Sequence, residues 1–153
     1  MPKFILFGTL CVALVAQHFL VMENPQLETL GAGDFFIYSR EVVVSPLVLE
    51  RTDVGFGFIY RARSENAAEL RAKFNHIDGE SLLLDKQMSA RDVLWLLGHE
   101  KTSQQTSAGM VVTYGYSGRG RDFIVAGGER VNLQIVERGG RTKVGWPVIL
   151  GSF

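Results

Sequence analysis

Hydrophobic and polar positions divide the chain into stretches of different character. From Phe4 to Met22 it runs 19 residues without a charge, which as one apolar N-terminal helix would reach about 28 Å, close to a hydrocarbon core. Residues 23–33, with Asn24-Pro25 and Gly31-Ala32-Gly33, read as a tether. Beyond it, Asp34 to Val44 is rich in aromatic and β-branched residues, and Val54 to Arg63 sets Phe56, Phe58 and Tyr60 on one face. Both patterns predict strands, with the aromatic face as core. Ser64 is placed to cap a half-buried helix over residues 65–75. After the Asp78-Gly79 turn, Ser81 to Asp85 predicts a strand. Ser89 with Asp92 forms a capping box for a helix through Leu97 that stops at Gly98. Residues 100–107 are polar throughout and read as a loop, whereas Met110 to Tyr116 predicts another strand.

The last third carries the sharpest signal. Two double-glycine turns imply registers that can be tested against each other. Around Gly139-Gly140, Arg138 faces Arg141, so Ile135 meets Val144, Leu133 meets Trp146 and Val131 meets Val148. Around Gly127-Gly128, Ile124 meets Val131. A slip of one residue would turn every apolar side chain to the other face. The expectation is a terminal three-stranded meander, with Pro147 marking an edge or bulge. The whole reads as a signal or membrane-anchor segment over 1–22, a tether over 23–33 and a single domain over 34–153. That domain is α+β, a mostly antiparallel sheet with two short helices on one face.

This strand set resembles the C-terminal end of the YwmB-like family of exported proteins. The run is Gly128-Glu129-Arg130-Val131-Asn132-Leu133-Gln134-Ile135, followed by Arg138, Thr142 and Gly145-Trp146-Pro147-Val148-Ile149. The resemblance implies export and a fold like that of the TATA-box-binding protein. It implies no activity, and family members are typically longer, with a duplicated unit.

Charge refines the location. Lys3 alone precedes the apolar run while Glu23 and Glu28 follow it, which favours a cytoplasmic N-terminus and an extracytoplasmic domain. Leu14, two residues before a cut after Ala16, is large for a cleavage site. This favours a retained anchor. The single cysteine, Cys11, lies within the run and cannot pair inside the domain. Gly8-Thr9-Leu10 before it makes a poor lipoprotein signal.

Residues 23–107 hold nine basic against thirteen acidic side chains, and 108–153 hold six against three. This mild polarity lacks the clustered basic face that nucleic-acid binding requires. The partners implied are therefore the membrane, through the N-terminal segment, and an envelope protein or anionic polymer.

Candidate chemistry is sparse. His76 with Asp78, and His99 with Glu100, have no third partner at zinc-motif spacing, and no cofactor is implied. Gly115-Tyr116-Ser117-Gly118-Arg119-Gly120-Arg121 approaches a nucleophile elbow, but position 119 is arginine where that motif needs glycine. As a turn it would offer Arg119 and Arg121 to a carboxylate or phosphate. Asn132 and Gln134, opposite Val131, Leu133 and Ile135 on their strand, would form a polar partner surface or the solvated side of the sheet. The expected function is that of a non-enzymatic binding domain, with a small envelope hydrolase or transferase using His76 or His99 as the rival and nucleic-acid binding by analogy of fold as a third reading, which the leader and the charge oppose.

Overall fold

The computed structural model describes residues 25–119 and 122–149. The apolar leader, Cys11 and Arg121 lie outside them. Ten strands lie among the described residues: β1 Gly33–Ser39, β2 Glu50–Asp53, β3 Phe58–Arg63, β4 Gly79–Leu84, β5 Glu100–Ser107, β6 Met110–Tyr116, β7 Ile124–Ala126, β8 Glu129–Val131, β9 Leu133–Arg138 and β10 Arg141–Trp146. Two short helices, α1 Ala67–Arg71 and α2 Ala90–Leu97, join them. Eight strands form one sheet in the order β2-β3-β1-β4-β10-β9-β6-β5, and every neighbouring pair is antiparallel. The domain is α+β and mostly antiparallel.

One row of register partners across this sheet explains the packing. It runs Ala62, Phe35, Leu82, Val144, Ile135, Thr113, Gln104 from β3 to β5. The first five side chains are fully buried and apolar. They face Ala67 and Leu70 of α1, Val93 and Leu94 of α2, and Leu27 and Leu30 of a 3-10 turn over Leu27–Leu30. Folded packing thus begins inside the stretch read as a tether. At β6 the row becomes polar, and the apolar reason for a covering helix ends there.

Arg71 of α1 fastens this layer. Its guanidinium binds both oxygens of Glu28, each at 2.9 Å, and both of Glu80, at 2.7 and 3.1 Å. Burial pushes the Glu80 carboxyl up, with Arg71 opposing. Burial also pushes Glu28 up, but the Arg71 hydrogen bonds and charge bring it net below the usual carboxylate range. The bidentate geometry positions the 3-10 turn, α1 and β4 together.

Several sequence expectations need correction. Residues 100–107 are not a loop but strand β5. As an edge strand with neither face buried, it has no apolar alternation to reveal it. The first strand ends at Ser39 rather than Val44. The chain then leaves the sheet, and the Tyr60 hydroxyl holds it by donating to the Glu41 carbonyl (2.6 Å) and accepting from the Val43 amide (3.0 Å). Phe56 is 80% exposed in the turn before β3, while Tyr60 is the core aromatic. Ser64 does not cap a helix with its side chain; its hydroxyl accepts from the Gly33 amide at 3.0 Å.

The continuous terminal meander is also corrected. Both hairpin registers are present, with Ile135 opposite Val144 and Ile124 opposite Val131. However, the middle strand breaks at Asn132, so β7 and β8 form a separate two-stranded ribbon. Ile124 is partly exposed rather than inward. Strand β10 is interior, paired to both β4 and β9, and stops at Trp146 before a cis Trp146–Pro147 bond. Pro147 therefore marks a strand end, and Val131 has no partner in Val148.

Candidate functional site

Beyond the polar switch in the row, a cleft of about 590 Å³ opens between α2 and the β5–β6 pair. One wall is α2, whose start is fixed as the capping box implies: the Ser89 hydroxyl accepts from the Asp92 amide at 3.2 Å. Val93 and Leu94 bury against the sheet, leaving Trp95 79% exposed on the cleft side. The helix can approach because position 115 is glycine. A β-carbon there would lie 2.6 Å from Leu94 Cδ2. Arg91 and Asp92 stand on the same wall.

The opposite wall is a polar chain. Lys101 Nζ donates to Gln104 Oε1 at 3.1 Å, and Gln104 Nε2 donates to Thr113 Oγ1 at 3.3 Å. These bonds hold the glutamine amide across the strands while leaving it spare donor and acceptor capacity.

His99 closes one side of the cleft. Its Nδ1 lies 2.9 Å from the Leu97 carbonyl oxygen, which makes Nδ1 the protonated nitrogen of the neutral ring. Burial holds the imidazole below its ordinary range; the Leu97 carbonyl and the Asn132 side chain pull the other way, and the Arg119 charge adds to the depression.

Asn132 is the residue that the sequence pattern misplaced. It is not on a solvated face but 1% exposed. Its side chain accepts from the Ser117 amide at 3.0 Å and donates to the Ser117 carbonyl at 2.8 Å. This reciprocal pair is possible because the strand breaks there, and it pins the loop that carries Arg119. Ser117 is buried, and its hydroxyl accepts from the Arg119 amide at 3.3 Å, so it acts as a turn former.

Arg119 is exposed, with Nη1 3.7 Å from where a β-carbon on Gly98 would stand. The structure thus brings Arg119, Asn132 and His99 together at the end of α2. Gln134 belongs elsewhere, its Oε1 accepting from the Ile149 amide at 2.8 Å as the chain folds back after β10. Its amide is therefore already engaged rather than fully solvated.

The other histidine candidate belongs to the opposite half of the sheet. His76 Nε2 lies 3.1 Å from Asp78 Oδ1, and Arg40 approaches the same oxygen at 3.6 Å. Beside them, Glu41 accepts from the backbone amides of Asn75 (3.1 Å) and His76 (2.6 Å). The first of these bonds chiefly lowers the Glu41 carboxyl, against a smaller desolvation effect. The cluster clasps the chain between α1 and β4. Among the described residues, no group of three or more His, Cys, Asp or Glu is arranged to hold a metal ion.

Sequence reasoning missed Trp95, Gln104 and Thr113. The only available signal was a tryptophan on a short helix whose core face was already supplied by Val93, Leu94 and Leu97. Comparison with family models, with curated proteins and with solved structures returned no match.

Proposed function

We propose that the chain is a membrane-anchored, extracytoplasmic binding domain that engages an envelope component through the cleft between α2 and β5–β6. The observation that carries the binding reading is Trp95, a large indole left exposed beside an ordered polar wall. Binding sites commonly combine such an aromatic surface with a few fixed hydrogen-bonding groups. The anchor and its side of the membrane rest on the uncharged run from Phe4 to Met22 and the charges around it. The resemblance of the C-terminal strands to the YwmB-like family also supports export. Among the described residues, no helix is long and apolar enough to cross a membrane.

A second reading, an envelope hydrolase or transferase, is favoured by the neutral His99 at the edge of the same cleft. Against it, the ring is held through Nδ1 by a backbone carbonyl and neighbours the buried Asn132, surroundings that also suit a structural histidine.

The test uses the full chain. A periplasmic-type reporter fused at the C-terminus is expected to be active, and the purified chain in detergent should sediment with isolated envelope material. Gln104→Trp, which fills the cleft from an exposed position, should abolish sedimentation while preserving thermal stability. His99→Gln should leave it intact. Reporter activity only in the cytosol would refute the location; sedimentation undisturbed by Gln104→Trp would refute the cleft.

A further inference from the structure

We propose that the cleft takes an acidic oligosaccharide, stacking one sugar ring on Trp95 and receiving a sugar carboxylate at Arg91 and Lys101; this identification rests on the cleft being the binding site. A sugar ring has an apolar face of C–H groups and a rim of hydroxyls. The cleft presents the complementary pair, an exposed indole plane on α2 and hydrogen-bonding groups on the facing strands.

A protein partner would fit less well. It would bury Trp95 against its own apolar side chains, yet across the cleft stand Lys101, Gln104 and Thr113. Burying the exposed Lys101 and Gln104 without satisfying them is costly, whereas sugar hydroxyls accept from Lys101 and both donate to and accept from Gln104. The amide of Gln104 already bridges Lys101 and Thr113, so it is oriented before any ligand arrives. A preoriented group loses little freedom on binding.

The acidic preference follows from the charges at the cleft. Arg91 and Lys101 outnumber the single acid, Asp92. Among the described residues, Arg91 is in no ion pair and the Lys101 amine donates to the neutral Gln104 rather than to an acid. Exposed Arg119, near Gly98, adds a third cation beside the cleft. An arginine without an acid partner can receive a carboxylate in a bidentate manner.

The protein contains two tryptophans, Trp95 and Trp146, and Trp146 is 1% exposed. A fluorescence change on ligand addition therefore reports mainly on Trp95. The experiment titrates the full chain in detergent with oligogalacturonides, with neutral xylo-oligosaccharides of equal length, and with polyglutamate as a polyanion without sugar. A blue shift with oligogalacturonide, weaker binding of the neutral sugar and none of polyglutamate are expected. Trp95→Ala, followed by calorimetry, should weaken oligogalacturonide binding on the order of tenfold or more. Arg91→Gln should erase the preference for acidic over neutral sugar. Both positions are exposed, so both variants should keep the wild-type melting temperature.

Absence of saccharide binding, equal binding of polyglutamate, or undiminished binding by Trp95→Ala would overturn the proposal. If envelope sedimentation still depended on Gln104 in any of those cases, the cleft would remain the site and only its ligand class would be wrong.

Discussion

The two ends of the eight-stranded sheet are built from the same antiparallel ladder but are finished differently. From β3 to β9 the inward row is Ala62, Phe35, Leu82, Val144 and Ile135, roofed by both helices and the 3-10 turn. Over the next two strands the same row turns polar, with buried Thr113 and then exposed Gln104, and α2 stands beside open space. A single change in side-chain character along one row thus separates a region whose contacts serve stability from an edge where Gln104 and Trp95 stay exposed. Where burial has been completed, an exchange of side chains costs folding energy. Where it has been left incomplete, the same exchange should change recognition instead.

The comparison can be broken most directly at Leu82. Leu82→Ala removes a fully buried side chain at the centre of the roofed row and is expected to cost about 2–5 kcal/mol, measured by urea unfolding. A cost near zero would mean that the roofed region is not the stability core. Asn132→Ala comes next. It strips both hydrogen bonds from buried Ser117 groups, at about 1–3 kcal/mol for polar groups left unpaired, and should loosen the loop carrying Arg119. Limited proteolysis near residue 119 would report the loosening.

Gly115→Ala tests the boundary itself. The added methyl meets Leu94 Cδ2 at 2.6 Å, so the Leu94 side chain must repack or α2 must shift, at a cost of up to roughly 1–3 kcal/mol, with ligand binding altered as well. A variant of unchanged stability and unchanged binding would contradict the described seat of the helix.

His99 gives a pH signature. Its folded-state affinity for a proton is depressed, so the unfolded chain takes up the proton first as pH falls. The associated stability is complete above the ordinary histidine value of about 6.5 and is lost as pH drops through the lower folded value. His99→Gln should therefore remove one component of the fall in melting temperature between neutral and mildly acidic pH. Parallel curves for the two proteins would contradict the half-buried neutral ring.

The smallest effect on stability belongs to the open end. Trp95→Ala should change unfolding free energy by no more than about 0.5 kcal/mol, because the indole is 79% exposed. A large loss would mean that Trp95 is a structural residue and that the cleft is not open.

How much of this was legible in the sequence depends on the range of the interactions. The hairpin registers at Gly127-Gly128 and Gly139-Gly140 could be read because a turn with positive φ at both central residues sets the pairing locally. The Ser89 cap could be read for the same reason, its partner being three residues away. Strand β5 could not, since Glu100 to Ser107 has no buried face and its pairing to β6 follows from the Ala108-Gly109 turn rather than from alternation. Asn132 was misjudged because alternation along one strand assumes an unbroken strand. The break depends on Ser117, fifteen residues away. The cleft was invisible for a further reason: it is the gap between a helix and two strands, so no single segment encodes it.

Strand β10 holds a place whose consequence lies in the order of assembly. It is the last strand in the chain among those described, yet it sits between β4 and β9 and ladders to both. Without Arg141 to Trp146, the group β2-β3-β1-β4 and the group β9-β6-β5 share no backbone pairing. A polypeptide emerging from its N-terminus therefore holds two unfinished half-sheets, each with a bare edge, until this keystone arrives to join partners as distant as Leu82 and Val144. Such late, long-range closure slows folding, because the loop entropy is lost before the distant pairing compensates for it.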